Sequence, residues 1–322
     1  MTLLDISYNT TMTFFYFIIF VCQYLYLNFI ANKKNPNVVK STYAYKLQDN
    51  IEQTATIYRT NRNVKKVILF CSGAYSIEYH FYISKLMYDL NVEYESLMAN
   101  YELICYEKTD KTSFDIYDDI YHYILHLDKE LDKIEELILF GFSSGGVVAS
   151  HIMQRCKNMN CRKKIITYDT PWQIHENVDY FRRNLFYRFD IIFFWKVYDA
   201  YSKHYNYDKI KHHLENKKWN SGSNEITYII RGVHNVSFEE FYFSTGFNFD
   251  QTEDTEVYNI YSTCDPIVIR EVHDKFVALN KNKIKFYNKN IEKNTIGHCS
   301  DMAFSTSYLT DIVNSIFAYK KL

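Results

Sequence analysis

ELILFGFSSGGVVAS, residues 136–150, is the stretch on which the reading of this chain turns. Glu136–Phe140 is a short apolar run of strand length, and Gly145–Lys157 has the apolar spacing of a helix. Between them lies Gly141-Phe142-Ser143-Ser144-Gly145, a G-x-S-x-G pattern at a strand-to-helix turn. The spacing has a steric reason. A serine on so sharp a turn has a strained backbone, and glycine at both flanks lets strand and helix pass closely. The turn lifts the Ser143 hydroxyl above the sheet edge. It also aims the Ser144 N–H and the start of the helix at a reacting oxygen. The plain alternative is a glycine-rich turn with an incidental serine.

Outward from this turn, strands and helices alternate. Ser41–Gln48 and Thr54–Thr60 read as strands, with Asp49-Asn50 as turn residues between them. Val64–Cys71 is an apolar strand, Ile77–Leu90 a helix, Tyr101–Tyr106 a strand and Phe114–Ile134 an amphipathic helix. Lys164–Tyr168 follows the central helix as another strand. The alternation lapses over residues 172–254 and resumes with the strand Val257–Ser262, the helix Ile267–Leu279, the strand Ile284–Asn288 and a helix over Asp301–Tyr319. Such a pattern predicts an α/β fold with a mostly parallel, doubly wound sheet. The boundaries follow: 1–40 an apolar segment and linker, 41–171 the first part of the core, 172–254 a helical insertion, 255–322 the second part.

A serine nucleophile needs a base and a group to orient it, and on this architecture they follow in the order acid, then histidine. Two aspartates stand at strand ends: Asp265 in Cys264-Asp265-Pro266-Ile267-Val268, and Asp169 in Tyr168-Asp169-Thr170-Pro171. Both positions suit a site at the carboxyl edge of an open sheet. Asp265 is preferred, with Asp169 as the alternative acid; the plain reading of either is a helix N-cap. Among eleven histidines, His298 follows the last strand and precedes the last helix, with Gly297 beside it to free the loop. A second oxyanion donor is expected from Ser72-Gly73-Ala74-Tyr75, after Val64–Cys71. The Ala74 N–H would act there beside that of Ser144. Gly73, Gly141, Gly145, Gly146 and Gly297 are five of only eight glycines, and all fall in these three loops.

Composition narrows the partners. With 37 basic and 38 acidic residues the net charge is −1, so no global basic field exists to hold nucleic acid. Hydrophobic residues at 47% and charged residues at 23% exclude a mainly disordered chain and a multi-pass membrane protein. The 31 Tyr and 24 Phe beside 8 Gly and 3 Pro suggest AT-biased codons, as in large DNA viruses or AT-rich protists. The seven cysteines lack a zinc-type spacing and read mostly as buried thiols in a reducing compartment.

Met12–Ile30 (MTFFYFIIFVCQYLYLNFI) is a charge-free span of 19 residues, just long enough to cross a bilayer core of ~30 Å. Only Asp5 precedes it among charged residues, whereas Lys33, Lys34 and Lys40 follow. That asymmetry predicts a single-pass anchor with the catalytic body in the cytosol. A cleaved signal or a helix docked on the body are the other readings. A lumenal body competes because Asn9-Thr10-Thr11 and Asn235-Val236-Ser237 are glycosylation sequons.

The four loops together resemble the α/β-hydrolase superfamily, and most resemble its lipase/esterase branch of monoacylglycerol-lipase-like and lysophospholipase-like enzymes. GFSSGGVVA resembles the family's G-H-S-x-G-G-x-x-A, CSGA its H-G-A loop, STCDPIV its acid loop and IGHCSD its histidine loop. Phe142 and Ser72 stand where the family usually has histidine. The resemblance implies an α/β-hydrolase fold over about Ser41–Leu322, with a Ser143–His298–Asp265 triad. It also implies an oxyanion hole from Ala74 and Ser144, no metal or organic cofactor, and residues 172–254 as a cap. Phe186–Tyr201 is strongly aromatic and would suit acyl chains, or would simply be the core of the cap. The expected activity is hydrolysis of a carboxylic ester, small or lipid-derived. Peptidase, thioesterase or acyltransferase chemistry on the same triad, or a non-catalytic binding protein, are the alternatives.

Overall fold

The computed structural model describes residues 39–46, 52–59, 65–71, 95–99, 116–143, 145–172, 176, 254–263, 265, 268–283, 285–291, 311–313 and 315–316. They form eight strands: β1 (Val39–Lys46), β2 (Glu52–Arg59), β3 (Lys66–Cys71), β4 (Glu95–Ala99), β5 (Glu136–Phe142), β6 (Arg162–Tyr168), β7 (Thr255–Ser262) and β8 (Phe286–Ile291). The helices among the described residues include α1 (Ile116–Glu130), α2 (Gly145–Arg155) and α3 (Arg270–Asn280).

All eight strands form one sheet in the order β1-β2-β4-β3-β5-β6-β7-β8. β2 pairs antiparallel with β1 and β4, while every contact from β4 to β8 is parallel. From β3 the chain goes to β4 on one side and then to β5 on the other. The strand order therefore reverses between β3 and β5, and such a switch point opens a crevice at the carboxyl ends of the strands. β3 and β5 pair in register from Lys66↔Glu136 to Cys71↔Gly141, so both end at this crevice.

The apolar strands are central because parallel strands are covered on both faces. Val67–Cys71 of β3 and Leu137–Phe142 of β5 are buried throughout. Val147, Ala149, Ile152 and Met153 of α2 join Val67, Leu69, Leu137, Leu139, Ile165 and Val257 in one core cluster. The charged residue that opens β5 is also buried. Glu136 lies 3.2 Å from the equally buried Lys164 and 3.6 Å from Arg162.

Several expectations shift. β4 lies at Glu95–Ala99, a stretch without β-branched residues that the strand pattern passes over; the expected strand Tyr101–Tyr106 lies outside the described residues, as does the helix Ile77–Leu90. The helix expected over Phe114–Ile134 ends at Glu130. Asp132 and Lys133 take left-handed φ values of 51° and 77°, and the Asp128 carboxylate accepts the Ile134 N–H at 2.7 Å. Apolar spacing continues to Leu131 and Ile134, and no glycine marks the stop. α3 begins at Arg270 rather than at Ile267; Ile269 before it is extended, and the Val268 N–H donates to Asp265 Oδ1. Trp172, the first residue of the expected insertion, is buried and stacks on Phe276 of α3 with ring centroids 4.5 Å apart. Beyond Trp172, only Glu176 and Asp254 of residues 172–254 are described. Among the described residues no helix is long and apolar enough to cross a membrane; Met12–Ile30 lies outside them.

Candidate active site

Ser143 stands directly after β5, with φ at 53°. A left-handed conformation costs a non-glycine residue about 1–2 kcal/mol. It is held by two backbone hydrogen bonds. The Ser143 N–H donates to the Tyr168 carbonyl at the end of β6 (2.9 Å), and the Gly146 N–H donates to the Ser143 carbonyl (3.0 Å).

The glycines explain how the turn closes. A Cβ on Gly141 would lie 2.4 Å from the Gly146 Cα and 2.5 Å from the Gly145 carbonyl oxygen. A Cβ on Gly146 would lie 2.0 Å from the Thr170 Oγ1. Strand β5 thus touches the first turn of α2, and α2 in turn touches the loop after β6. The sequence pattern anticipates the first approach. The second depends on Thr170, which no motif marks.

Both candidate acids lie at the same sheet edge. Asp169 is wholly buried just after β6, with φ at 46°. Its Oδ1 accepts the Ser262 N–H at 2.7 Å, and its own N–H donates to the Ile260 carbonyl at 3.0 Å. Asp169 therefore ties the end of β6 to the end of β7. Asp265 follows β7 and is 8% exposed. Its N–H donates to the Ser262 carbonyl at 3.0 Å, and its Oδ1 accepts the Val268 N–H at 2.9 Å. From Ser143 through Tyr168, Asp169 and Ser262 to Asp265, hydrogen bonds and chain links run along the carboxyl ends of three neighbouring strands. His298, Ala74 and Ser144 lie outside the described residues.

Below this edge is a polar cluster that motif reading does not single out. Asn259 of β7 accepts at Oδ1 from Thr167 Oγ1 (2.9 Å) and Trp172 Nε1 (2.8 Å). Its Nδ2 donates to Asn288 Oδ1 (2.6 Å) and to His273 Nε2 (3.0 Å). His273 Nδ1 then donates to Asp274 Oδ1 at 3.2 Å. Burial holds His273 below the usual imidazole range, although the Asp274 carboxylate opposes the shift. The available signal was Asn259 itself, a polar residue within the apolar run VYNIYS.

The three described cysteines, Cys71, Cys156 and Cys161, are free thiols. Burial pushes Cys71 far above the ordinary thiol range and Cys156 up to about 12, so neither is primed as a nucleophile.

No protein-family model matches the sequence, and no curated protein gives a significant match. Solved structures do match. The esterase Pf2001 of Pyrococcus furiosus aligns with a TM-score of 0.53 at 12% identity, over 90% of this chain and 97% of that one. Carboxyl esterase 2 of the fungus Tuber melanosporum gives 0.56 at 12% identity, over 89% and 88%. A fungal esterase of Rhizomucor miehei gives 0.57 at 13% identity, over 93% and 88%. A switch point that presents a strained serine between β5 and α2, and this likeness over nine-tenths of the chain, agree: the chain has the α/β-hydrolase fold.

Proposed function

We propose that this chain is a serine hydrolase that cleaves a carboxylic ester. The observation that carries the reading is Ser143 itself, held at φ 53° beyond β5 with a helix starting two residues later. A backbone strained at this one serine is what a presented nucleophile requires. In the proposed mechanism the Ser143 hydroxyl attacks the ester carbonyl while His298 takes its proton and Asp265 orients the imidazole. The Ala74 and Ser144 N–H groups stabilise the tetrahedral oxyanion. His298 then protonates the leaving alcohol, and water releases the acid. Asp265 is preferred over Asp169 because its Asp-Pro-Ile-Val setting resembles the family's acid loop, and because Asp169 is fully buried at the junction of β6 and β7, where its Oδ1 accepts the Ser262 N–H. The esterases among the structural neighbours support the same chemistry. The test is hydrolysis of p-nitrophenyl esters together with labelling by a fluorophosphonate. Ser143→Ala is expected to lose both, by ~10³-fold or more in turnover, with the fold kept. Turnover retained in that variant overturns the assignment.

The finer reading is a lipid-derived ester, as in the monoacylglycerol-lipase-like branch, with Met12–Ile30 anchoring the body on the cytosolic face of a membrane. The charge-free span, the lysines after it and the aromatic Phe186–Tyr201 support it. Cell fractionation is expected to find the protein on membranes, and removal of residues 1–34 to release an active, soluble body. A glycan on Asn235 would instead place the body in the lumen.

A further inference from the structure

We infer that Tyr261 is a positioning residue that braces the loop carrying Asp265, a role that rests on the triad proposed above. The connection from β7 to α3 carries Asp265 and must hold its carboxylate steady. Its first residue is tied to β8: the Thr263 N–H and Oγ1 both donate to the Ile291 carbonyl, at 3.1 and 3.2 Å. The other end depends on the Val268 peptide. The Val268 N–H donates to Asp265 Oδ1 at 2.9 Å, and the Val268 carbonyl accepts the Tyr261 hydroxyl at 3.2 Å. One residue is thus clamped between the carboxylate and the phenol.

The phenol is itself immobilised. Tyr261 is buried, and its ring stacks on that of His273 with centroids 3.8 Å apart. His273 is held by Asn259, which also binds β6, β8 and Trp172. The loop is therefore referenced to the sheet core through Tyr261. Burial, and then the nearby carboxylates of Asp265 and Asp169, keep the phenol protonated, so it stays a donor.

The test measures the rate at which a fluorophosphonate labels Ser143 in the full chain, as a function of pH. Asp265→Asn is expected to slow labelling by ~10³-fold or more. Tyr261→Phe keeps the stacked ring and removes only the hydroxyl. It is expected to slow labelling roughly tenfold, the scale of one lost hydrogen bond. The acid limb of its pH profile should move to lower pH, because a less steady carboxylate stabilises the protonated base less. In the Asp265→Asn background Tyr261→Phe should add nothing. A wild-type rate in Tyr261→Phe, or an undiminished effect in the Asp265→Asn background, overturns the positioning role and leaves the triad standing. A wild-type rate in Asp265→Asn removes the acid assignment and this inference together, and absence of labelling in the folded wild type removes the proposed activity and the inference with it. Circular dichroism establishes folding. Should Tyr261→Phe fail to fold, His273→Gln carries the same test, since it removes the stacked ring and keeps an acceptor for Asn259.

Discussion

At Gly141 and Gly146 a single hydrogen in place of a methyl group decides whether the serine turn closes. The two positions differ in what a Cβ would strike. At Gly141 it meets the backbone of Gly145 and Gly146, so β5 and α2 would have to part. At Gly146 it meets the Thr170 side chain. Overpacking a tight contact costs about 1–3 kcal/mol, and more where backbone must move. Gly141→Ala is therefore expected to be the more destabilising in thermal unfolding. Thr170→Ala should recover part of the loss in Gly146→Ala and none in Gly141→Ala. Equal rescue of both would mean that Thr170, not the α2 backbone, limits the approach at Gly141 as well. Ser143 poses the complementary case. Its φ of 53° suits glycine better than serine, and a strained backbone of this kind is what a proposed nucleophile at this position calls for.

At the scale of elements, β5 and β6 are joined at their amino ends by charge. Glu136 and Lys164 are both buried, and Arg162 reaches the same carboxylate from a more exposed place. Removing one partner from a buried pair strands the other charge, at about 3–5 kcal/mol. Replacing both with apolar residues of similar volume avoids that penalty. Lys164→Met alone is thus expected to destabilise strongly in urea unfolding, and Glu136→Leu with Lys164→Met to cost far less than the sum of the two singles. Additive losses would show that Glu136 and Lys164 are not energetically coupled. The pair lies at the opposite end of the sheet from Ser143, so labelling of Ser143 should change little in any of these variants that folds.

Across the whole molecule, Asn259 and His273 join β6, β7, β8, α3 and Trp172 into one body. His273 must be neutral at Nε2 to accept from Asn259. Its folded value lies below the ordinary value of about 6.5, mainly through burial. The unfolded chain therefore binds the proton more readily. The stabilising contribution is complete above about pH 6.5 and is lost as pH falls from there through the lower folded value. His273→Gln should flatten the pH dependence of the unfolding midpoint in that window, while leaving it in place at other pH values. An unchanged pH dependence in the variant would assign the acid sensitivity to another group.

How much of this was legible in the sequence follows from the range of the forces involved. The serine turn was legible because a G-x-S-x-G between an apolar strand and a helix is a local steric requirement, written within a few residues. The doubly wound sheet was legible from the alternation of period, since strands buried on both faces must be apolar throughout. Asp169 and Asp265 could both be placed at strand ends, with Asp265 preferred, but the bond that seals Asp169 could not be foreseen, because it comes from Ser262, some ninety residues away in the chain. The end of α1 was hidden because non-glycine residues make the left-handed turn in a glycine-poor chain. β4 was hidden because neighbours in the sheet, rather than its own residues, make ESLMA a strand. The roles of Asn259, Tyr261 and His273 were decided by tertiary structure alone. A buried hydrogen bond needs its partner brought from another element, and no single segment records that meeting.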